Sequence, residues 1–343
     1  MKNKPRLQEL DALRGIAAFM VAFYHLATVN NRQDSIIEYG ATGVELFFII
    51  SGFVIFMTLE RCKSSKDFIV SRFSRLYPAY WAAVTITFVL YLITINLGFH
   101  ETPNKNLFLT YAVNLTMLQR YFRISSIDGQ YWTLIVELVF YVFMWLLFVT
   151  KQLKNIKIAG TGILVMLLIW RIFFDEINET AFHKSLLFSV PLLKYFPLFF
   201  AGILFYDTYK KGTSLINYSL IISCIALMVF MKEPFIKSLS FITEIEFALI
   251  LFTYCGFFFL FIKNKLHWLV NRVTLFMGEI SYSLYLIHNF TGARVIVPGL
   301  HTIAGVPFWI SVIVALAVVI GMAYAINILI EKPAMYFIRR KWI

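Results

Sequence analysis

The feature that most constrains this chain is a succession of apolar runs of about 20 residues, separated by short polar segments. A helix of that length crosses the hydrocarbon core of a bilayer, which is about 30 Å thick. The pattern predicts an all-α, polytopic transmembrane helix bundle of about ten helices, forming a single membrane-embedded domain over residues 1–343 with no appended soluble domain. The predicted spans are 12–30, 42–59, 77–97, 132–150, 157–175, 185–206, 214–231, 245–262, 275–295 and 307–330.

Composition supports a membrane protein, since 60% of residues are hydrophobic and only 15% are charged. Soluble domains are nearer half apolar and a quarter charged. Cys62, Cys224 and Cys255 are far apart in the chain, so neither a disulfide framework nor a cysteine metal site is expected, and no metal is predicted. The apolar run after Arg14 contains His25 and lacks a small-residue cleavage pattern, which favours a retained first helix over a cleaved signal peptide.

The distribution of basic residues predicts the orientation. With the N-terminus inside, the inner segments carry 20 Lys and Arg residues and the outer segments carry 8. This bias places both termini on the cytoplasmic side. The net charge of +12 therefore reflects topology and anionic membrane lipids, and no nucleic-acid partner is predicted.

The longest outer loop, approximately 98–131, is a candidate lid over an outer-facing site. Within it, the apolar stretch 107–118 is too short to cross and carries Asn114 centrally. Counting this stretch as a span would reverse every later loop and remove the charge bias. It is therefore predicted to be re-entrant or interfacial.

Ionisable residues inside the predicted spans are the first candidates for function, because each costs roughly 2.5–3.5 kcal/mol to insert near the bilayer centre. Arg14 and His25 are eleven residues apart on the first helix. That spacing is close to three turns and about 16 Å, so both side chains share one face. The alternative is that Arg14 reaches the lipid phosphates and His25 only bonds a neighbouring helix.

The remaining charges separate by predicted depth. Glu45, Glu137 and His288 fall in the outer half, where they could meet His25. The inner-side residues are Arg14, Arg72, Arg75, Glu279 and Glu331. A neighbouring carboxylate can orient a histidine base, so this cluster suits either a group-transferring enzyme or a proton-coupled transporter.

Arg72 and Arg75 are three residues apart, hence neighbours on a helical surface, just before the predicted third span begins at Tyr77. Two guanidinium groups at the inner face suit a phosphate-rich ligand. A membrane anchor that binds anionic lipid has the same charge pattern and stays open on this ground.

Six stretches together resemble the acyltransferase 3 family of membrane acyltransferases, in the family's order and over nearly the whole chain. Ala12 stands where the family often has Gly, and Thr133 stands where it usually has Ser; both are conservative in size. The stretches are LDALRGIAA at 10–18 followed by His25, GVELFFIISGF at 43–53, RFSRLYP at 72–78, WTL at 132–134 followed by Glu137, SYSLYLIH at 281–288 and EKP at 331–333.

The resemblance implies a bacterial inner-membrane enzyme that transfers an acetyl group from acetyl-CoA to a hydroxyl of a cell-surface carbohydrate. The acceptor could be O-antigen, exopolysaccharide, peptidoglycan or a glycolipid intermediate. An exporter of lipid-linked saccharide or small solute is the alternative, although no paired repeat with interrupted helices is visible.

The resemblance also implies residue roles. His25 would act as general base or acyl carrier, and Glu45 or Glu137 would orient it. Phosphates of coenzyme A would bind Arg72, Arg75 and Arg14. Residues expected to bind substrate or support the site are Trp132, Ser281, Tyr282, Tyr285, His288 and Glu331.

Overall fold

The computed structural model describes residues 7–29, 35–96, 106–173, 181–232 and 239–342. Within these ranges the regular structure is helical, and they contain no β-strand. The α-helices are α1 (Gln8–Ala27), α2 (Ser35–Glu38), α3 (Gly43–Arg61), α4 (Ser65–Asn96), α5 (Leu107–Asn114), α6 (Trp132–Val149), α7 (Ile156–Phe173), α8 (Ala181–Ser189), α9 (Phe196–Lys211), α10 (Leu215–Phe230), α11 (Glu244–Ile262), α12 (Arg272–Ile287), α13 (Phe308–Ile326) and α14 (Lys332–Trp342).

The fold is an all-α, polytopic helix bundle, as predicted. Among the described residues, seven helical segments are long and apolar enough to cross a membrane, so the predicted number of ten is not reached by this measure. The predicted span 185–206 is divided between α8 and α9 by a 3₁₀ turn that begins at Pro191. The predicted span 214–231 is a helix of only 16 residues. The span 275–295 changes from an α-helix to a π-helix at His288.

Helix α4 differs most from its predicted bounds. It begins at Ser65 and contains 32 residues, so it is about 48 Å long and includes Arg72 and Arg75. Pro78 lies inside it. The charged residues and the proline read as a helix boundary in the sequence, but a proline is tolerated within membrane helices where other groups satisfy the freed carbonyl.

The segment 107–118 contains the eight-residue helix α5, about 12 Å long, which is too short to span a bilayer. Asn114 at its end is fully buried. Its side chain accepts a hydrogen bond from Ile127 N at 3.0 Å and donates one to Ser125 O at 3.1 Å, so it holds the following loop in place. A re-entrant position for this segment stays a prediction, and residues 97–105 of the predicted outer loop lie outside the described residues.

Contacts divide the chain into two compact units, the first within 1–10, 44–68 and 136–271, the second within 11–43, 69–135 and 272–343. The single domain predicted over 1–343 stays a prediction.

In the first unit, α3 and α9 cross at two glycines. A Cβ built on Gly52 would lie 2.0 Å from Phe199 O, and one on Gly202 would lie 2.0 Å from Ile49 O. Only glycine permits this backbone approach.

The polar end of α9 is tied to two neighbouring helices of the first unit. The Asp207 carboxylate lies 2.6 Å from Lys157 Nζ on α7 and 2.7 Å from Lys211 Nζ. It also accepts a hydrogen bond from Asn217 Nδ2 on α10 at 3.0 Å. Burial acts to raise the pKa of Asp207, but these hydrogen bonds outweigh burial and hold the pKa at about 2.

Candidate active site

In the second unit, α1 and α12 pack backbone against backbone. A Cβ built on Gly15 would lie 2.5 Å from Gly278 N, and one built on Gly278 would lie 2.1 Å from Asp11 O. Small residues at a crossing let membrane helices approach this closely. The crossing brings the polar side chains of α1 next to those of α12.

Arg14 is the first of these polar side chains. Its Nη2 donates to Ser281 Oγ on α12 at 3.2 Å, and its Nη1 lies 3.8 Å from the Asp11 carboxylate one turn earlier. Ser281 is fully buried and donates in turn to Gly278 O at 2.9 Å. Arg14 is therefore braced across the helix pair, and the predicted support residue Ser281 is its partner.

His25 lies further along the same face of α1 and contacts His288. Nδ1 of His25 lies 2.9 Å from Val21 O and 3.2 Å from Nε2 of His288. Nδ1 of His288 lies 2.9 Å from Tyr285 O and 3.2 Å from Leu284 O.

These partners determine where the protons lie. A carbonyl oxygen only accepts hydrogen bonds, so each Nδ1 carries a proton. Nε2 of neutral His288 then offers a lone pair to the Nδ1 proton of His25. The lone pair of His25 Nε2 is left without a donor among the described residues, and His25 is partly exposed while His288 is fully buried.

His288 begins a π-helical segment, His288–Ile296, that continues directly from α12. Such segments are frequent at functional sites. Side chains satisfy the carbonyl groups at this transition: Gln130 Nε2 donates to Tyr285 O at 3.1 Å, and the Tyr131 hydroxyl donates to Leu286 O at 3.2 Å. The backbone that carries His288 is thereby fixed by the residues that precede α6.

Asp128 holds the start of the π-helix from the same segment. Its carboxylate accepts hydrogen bonds from Asn289 Nδ2 at 2.6 Å, Phe290 N at 2.9 Å and Gln130 Nε2 at 3.0 Å. Burial raises the pKa of Asp128 to about 6, although these hydrogen bonds act to lower it. A carboxylate at a helix start stabilises the free N–H groups there.

The predicted support residues at the start of α6 also face α12. Thr133 Oγ1 lies 2.7 Å from the Tyr285 hydroxyl, and both groups are buried. The hydroxyl group that Thr133 shares with the Ser usual at this position in the resembled family is thus engaged in a hydrogen bond. Trp132 begins α6 and is partly buried.

Two further predicted residues support α12. Glu331 is buried and accepts hydrogen bonds from Ser283 Oγ at 2.8 Å and Asn327 Nδ2 at 3.2 Å. The Tyr282 hydroxyl donates to Leu76 O on α4 at 2.9 Å. Both contacts are structural, since they fix the position of α12 against its neighbours.

The predicted donor-binding arginines lie one turn apart on α4. Arg72 Nη2 donates to Ser71 Oγ at 3.1 Å. Arg75 is partly buried and has no hydrogen bond or ion pair within the described residues. Arg339 on α14 donates to Ser74 Oγ at 3.1 Å and to Ser71 O at 3.3 Å.

The predicted carboxylates Glu45 and Glu137 lie in the first unit. Glu137 Oε1 accepts hydrogen bonds from Ser51 Oγ at 2.9 Å and from the Tyr141 hydroxyl. Glu45 is 2% exposed in the first turn of α3, and its Oε2 has no hydrogen-bond partner among the described residues. His25 and His288 lie in the second unit. The role predicted for Glu45 or Glu137, that of orienting His25, therefore stays a prediction.

The structure brings together Arg14 with Ser281, His25 with His288, and Thr133 with Tyr285. Sequence reasoning missed Asp128, Gln130 and Arg339. Asp128 followed by Gly129 just before an apolar run is a recognisable helix-start signal, whereas Gln130 and Arg339 carry no local signal of their role. Within the described ranges no group of three His, Cys, Asp or Glu residues is arranged to hold a metal ion.

A family model described as an acyltransferase domain, that of the acyltransferase 3 family, matches residues 7–328. The chain belongs to the acyltransferase 3 family. The match includes α1, α4, α12 and the π-helix, so the contacts of Arg14, His25 and His288 lie within the family's domain. Arg339 lies beyond the matched residues.

The names of individual relatives agree with membership of an acyltransferase family. ORF330 of Acidianus two-tailed virus, whose assigned name contains the word acetyltransferase, is 29% identical over 83% of this chain and 82% of its own length. The O-acetyl transferase of Shigella phage Sf6 is 25% identical over 54% of this chain and 57% of its own. The exopolysaccharide production protein ExoZ of Rhizobium meliloti is 25% identical over 86% and 90%. No solved structure matches the chain.

Proposed function

We propose that this acyltransferase moves an acetyl group from cytoplasmic acetyl-CoA to a hydroxyl of a cell-surface carbohydrate, within the bacterial inner membrane. The observation that carries the proposal is the His25 imidazole, held through Nδ1 by Val21 and His288 with the Nε2 lone pair left open. The similarity to an O-acetyl transferase and to an exopolysaccharide production protein supports a carbohydrate acceptor. The acceptor class comprises O-antigen, exopolysaccharide, peptidoglycan and glycolipid intermediates.

In the general-base route, His25 Nε2 takes the proton of the acceptor hydroxyl. The oxygen attacks the thioester carbonyl, a C–O bond forms, and the C–S bond breaks. The departing coenzyme A thiolate then takes the proton from the imidazolium. In the acyl-carrier route the same nitrogen attacks the thioester first, a C–N bond forms, and the coenzyme A thiolate is expelled. The acceptor oxygen then attacks the acetyl group, the C–N bond breaks, and the hydroxyl proton passes to the thiolate. Both routes therefore require an unprotonated Nε2.

The position of Arg14 supports a donor that enters from the cytoplasmic side. Arg14 lies about 16 Å before His25 along the continuous helix α1, and its charge is held in place by Ser281. Phosphates of coenzyme A would bind the guanidinium groups of Arg72 and Arg75, since guanidinium forms paired hydrogen bonds with phosphate. The extended pantetheine arm would then bring the thioester to His25.

The carboxylates of the first unit have distinct proposed roles. Glu45 has an open, buried oxygen, which suits hydrogen bonding to a substrate hydroxyl or to the imidazole. Glu137 is already bonded to Ser51 and Tyr141, so its position is fixed and its second oxygen is the one available. Trp132 is partly exposed, and its ring is suited to stacking on a sugar. Tyr285 is buried and bonded to Thr133, so its proposed role is to support the site.

The test uses the purified full-length protein in liposomes, with labelled acetyl-CoA and candidate saccharide acceptors. His25→Ala should lower the transfer rate by about 10²- to 10⁴-fold while donor binding is retained. Transfer that survives His25→Ala would remove His25 from the reaction. Solute movement without acyl transfer would favour an exporter instead.

Two further measurements refine the proposal. Rapid quenching with labelled donor alone should trap label on His25 if the acyl-carrier route operates, and no protein-bound label if His25 is only a base. Mass spectrometry of surface glycans from a deletion strain should show the loss of one acetyl group per acceptor unit. Unchanged glycans would exclude a surface carbohydrate as the acceptor.

A further inference from the structure

The end of α14 carries a guanidinium group, that of Arg339, to which the proposed function gives no role. Arg339 is partly buried and reaches α4, where it contacts Ser71 and Ser74, the two serines next to Arg72 and Arg75 in sequence. Arg340 and Lys341, its neighbours on α14, are both exposed. Arg339 is therefore the basic residue of this turn that faces the protein.

Arg339 and Arg72 share one hydroxyl group. Arg72 Nη2 donates to Ser71 Oγ at 3.1 Å, and Arg339 Nη2 approaches the same oxygen at 3.5 Å. Both Arg72 and Arg75 are close enough to repel the charge of Arg339 electrostatically. Three cations thus converge on one end of α4.

No carboxylate compensates Arg75 or Arg339 within the described residues, since the acceptors of Arg339 are all serine oxygens and Arg75 has none. Glu331, the carboxylate side chain nearest to Arg339 in sequence, accepts a hydrogen bond from Ser283, and Glu279 pairs with Lys332. Like charges in a partly buried site are unfavourable unless an anion binds between them. Guanidinium groups in this arrangement suit the several oxygens of a phosphate group.

We propose that Arg339 joins Arg72 and Arg75 in a three-guanidinium site for a phosphate group. The identification of the ligand rests on the proposed function, in which that phosphate belongs to the coenzyme A donor. Ser71 and Ser74 position the guanidinium of Arg339, so that the C-terminal helix α14 contributes directly to donor binding.

An anionic lipid headgroup offers the same chemistry. Tyr336 and Phe337 on α14 are 67% and 65% exposed, and α14 has basic residues on its polar side, as helices lying at a membrane interface do. The experiment must therefore measure nucleotide and lipid binding separately.

The full-length protein is placed in nanodiscs of neutral phosphatidylcholine, and coenzyme A binding is measured for wild type, Arg339→Gln and Arg340→Gln. The Arg340 variant removes the same charge from the same helix at an exposed position. Arg339→Gln should weaken coenzyme A binding by about tenfold or more, as expected for one lost charged hydrogen bond, and Arg340→Gln should leave it unchanged. Arg339→Lys should retain part of the affinity for coenzyme A, because lysine keeps the positive charge but lacks the planar guanidinium group that forms paired hydrogen bonds.

A second arm measures retention of phosphatidylglycerol by the same variants. If wild type binds coenzyme A and Arg339→Gln changes neither coenzyme A nor phosphatidylglycerol binding, the three-guanidinium site is wrong and the proposed function stands. If wild type binds no coenzyme A but retains phosphatidylglycerol through Arg339, the phosphate site stands and the proposed donor is wrong. Equal losses in the Arg339 and Arg340 variants would indicate a general charge effect and overturn the site.

Discussion

The imidazole rings of His25 and His288 are joined by a contact of 3.2 Å between Nδ1 of the first and Nε2 of the second. His288 is fully buried and anchored through its own Nδ1 to the backbone of α12. The more exposed ring is thus oriented by the buried one, and His288 is a positioning residue on the proposed mechanism.

His288→Ala should lower kcat by roughly tenfold, the effect of losing about 1.4 kcal/mol of hydrogen bonding in the transition state, with little change in the KM for acetyl-CoA. His288→Gln should recover part of kcat, because its amide oxygen can stand near the position of Nε2 and accept from His25. Steady-state kinetics of both variants across pH 6–9 is the measurement. A purely structural role would instead lower the amount of folded protein and leave the pH profile of the remainder unchanged.

Gly278→Ala should separate α1 from α12, because the new methyl group would lie 2.1 Å from Asp11 O. Since backbone must move to make room, we expect a loss of about 1–3 kcal/mol in stability together with a loss of activity. The matched control is Gly321→Ala on α13, where nothing lies within 4 Å of the added Cβ. Thermal unfolding in detergent measures both; an unchanged unfolding temperature for Gly278→Ala would contradict the close crossing.

Thr133 and Tyr285 should be energetically coupled through their 2.7 Å hydrogen bond. Thr133→Val and Tyr285→Phe should each destabilise the protein by about 0.5–1.5 kcal/mol, and the double variant should cost less than the sum of the two. Thr133→Ser, which keeps the hydroxyl, should be nearly neutral. Strict additivity in the double-mutant cycle would show that the two hydroxyls do not interact.

Asp207 should make stability depend on pH in the acid range. Its folded pKa of about 2 lies below the ordinary value of 3.8, so the ionised carboxylate stabilises the fold above pH 4, and this contribution is lost as pH falls towards 2. Asp207→Asn should therefore unfold at a lower temperature than wild type at pH 7, and the difference should shrink below pH 4. A constant difference between pH 7 and pH 3 would mean that the ion pairs with Lys157 and Lys211 contribute nothing.

Much of this architecture could be predicted from the sequence because it depends on local properties. The apolar runs predicted most helix bounds to within a few residues, and α1 is one continuous helix, as the shared face of Arg14 and His25 required. Depth in the predicted topology also placed His288 in the same half of the membrane as His25. The roles of the site residues themselves stay predictions until activity is measured.

Other features depend on which distant residues meet, and a single sequence carries no such signal. Gly15 and Gly278 are ordinary glycines until the crossing pairs them. The charged residues before Pro78 resembled a loop, although α4 passes through them. Arg339 acquires its partners only because α14 packs near the start of α4.

The π-helix at His288–Ile296 has a consequence for anyone who recombines this chain with a relative. A π-helical turn carries more residues than an α-helical turn, so deleting one residue there would restore regular winding and rotate everything downstream by about 100°. Gly292 lies against the side chain of Leu26 on α1. If the deleted residue precedes Gly292, a neighbour with a larger side chain would take the place of Gly292 at that contact. The number of residues in this segment is therefore under constraint independently of their identity, and a chimaera that keeps every other side chain but shortens the segment by one residue should fail.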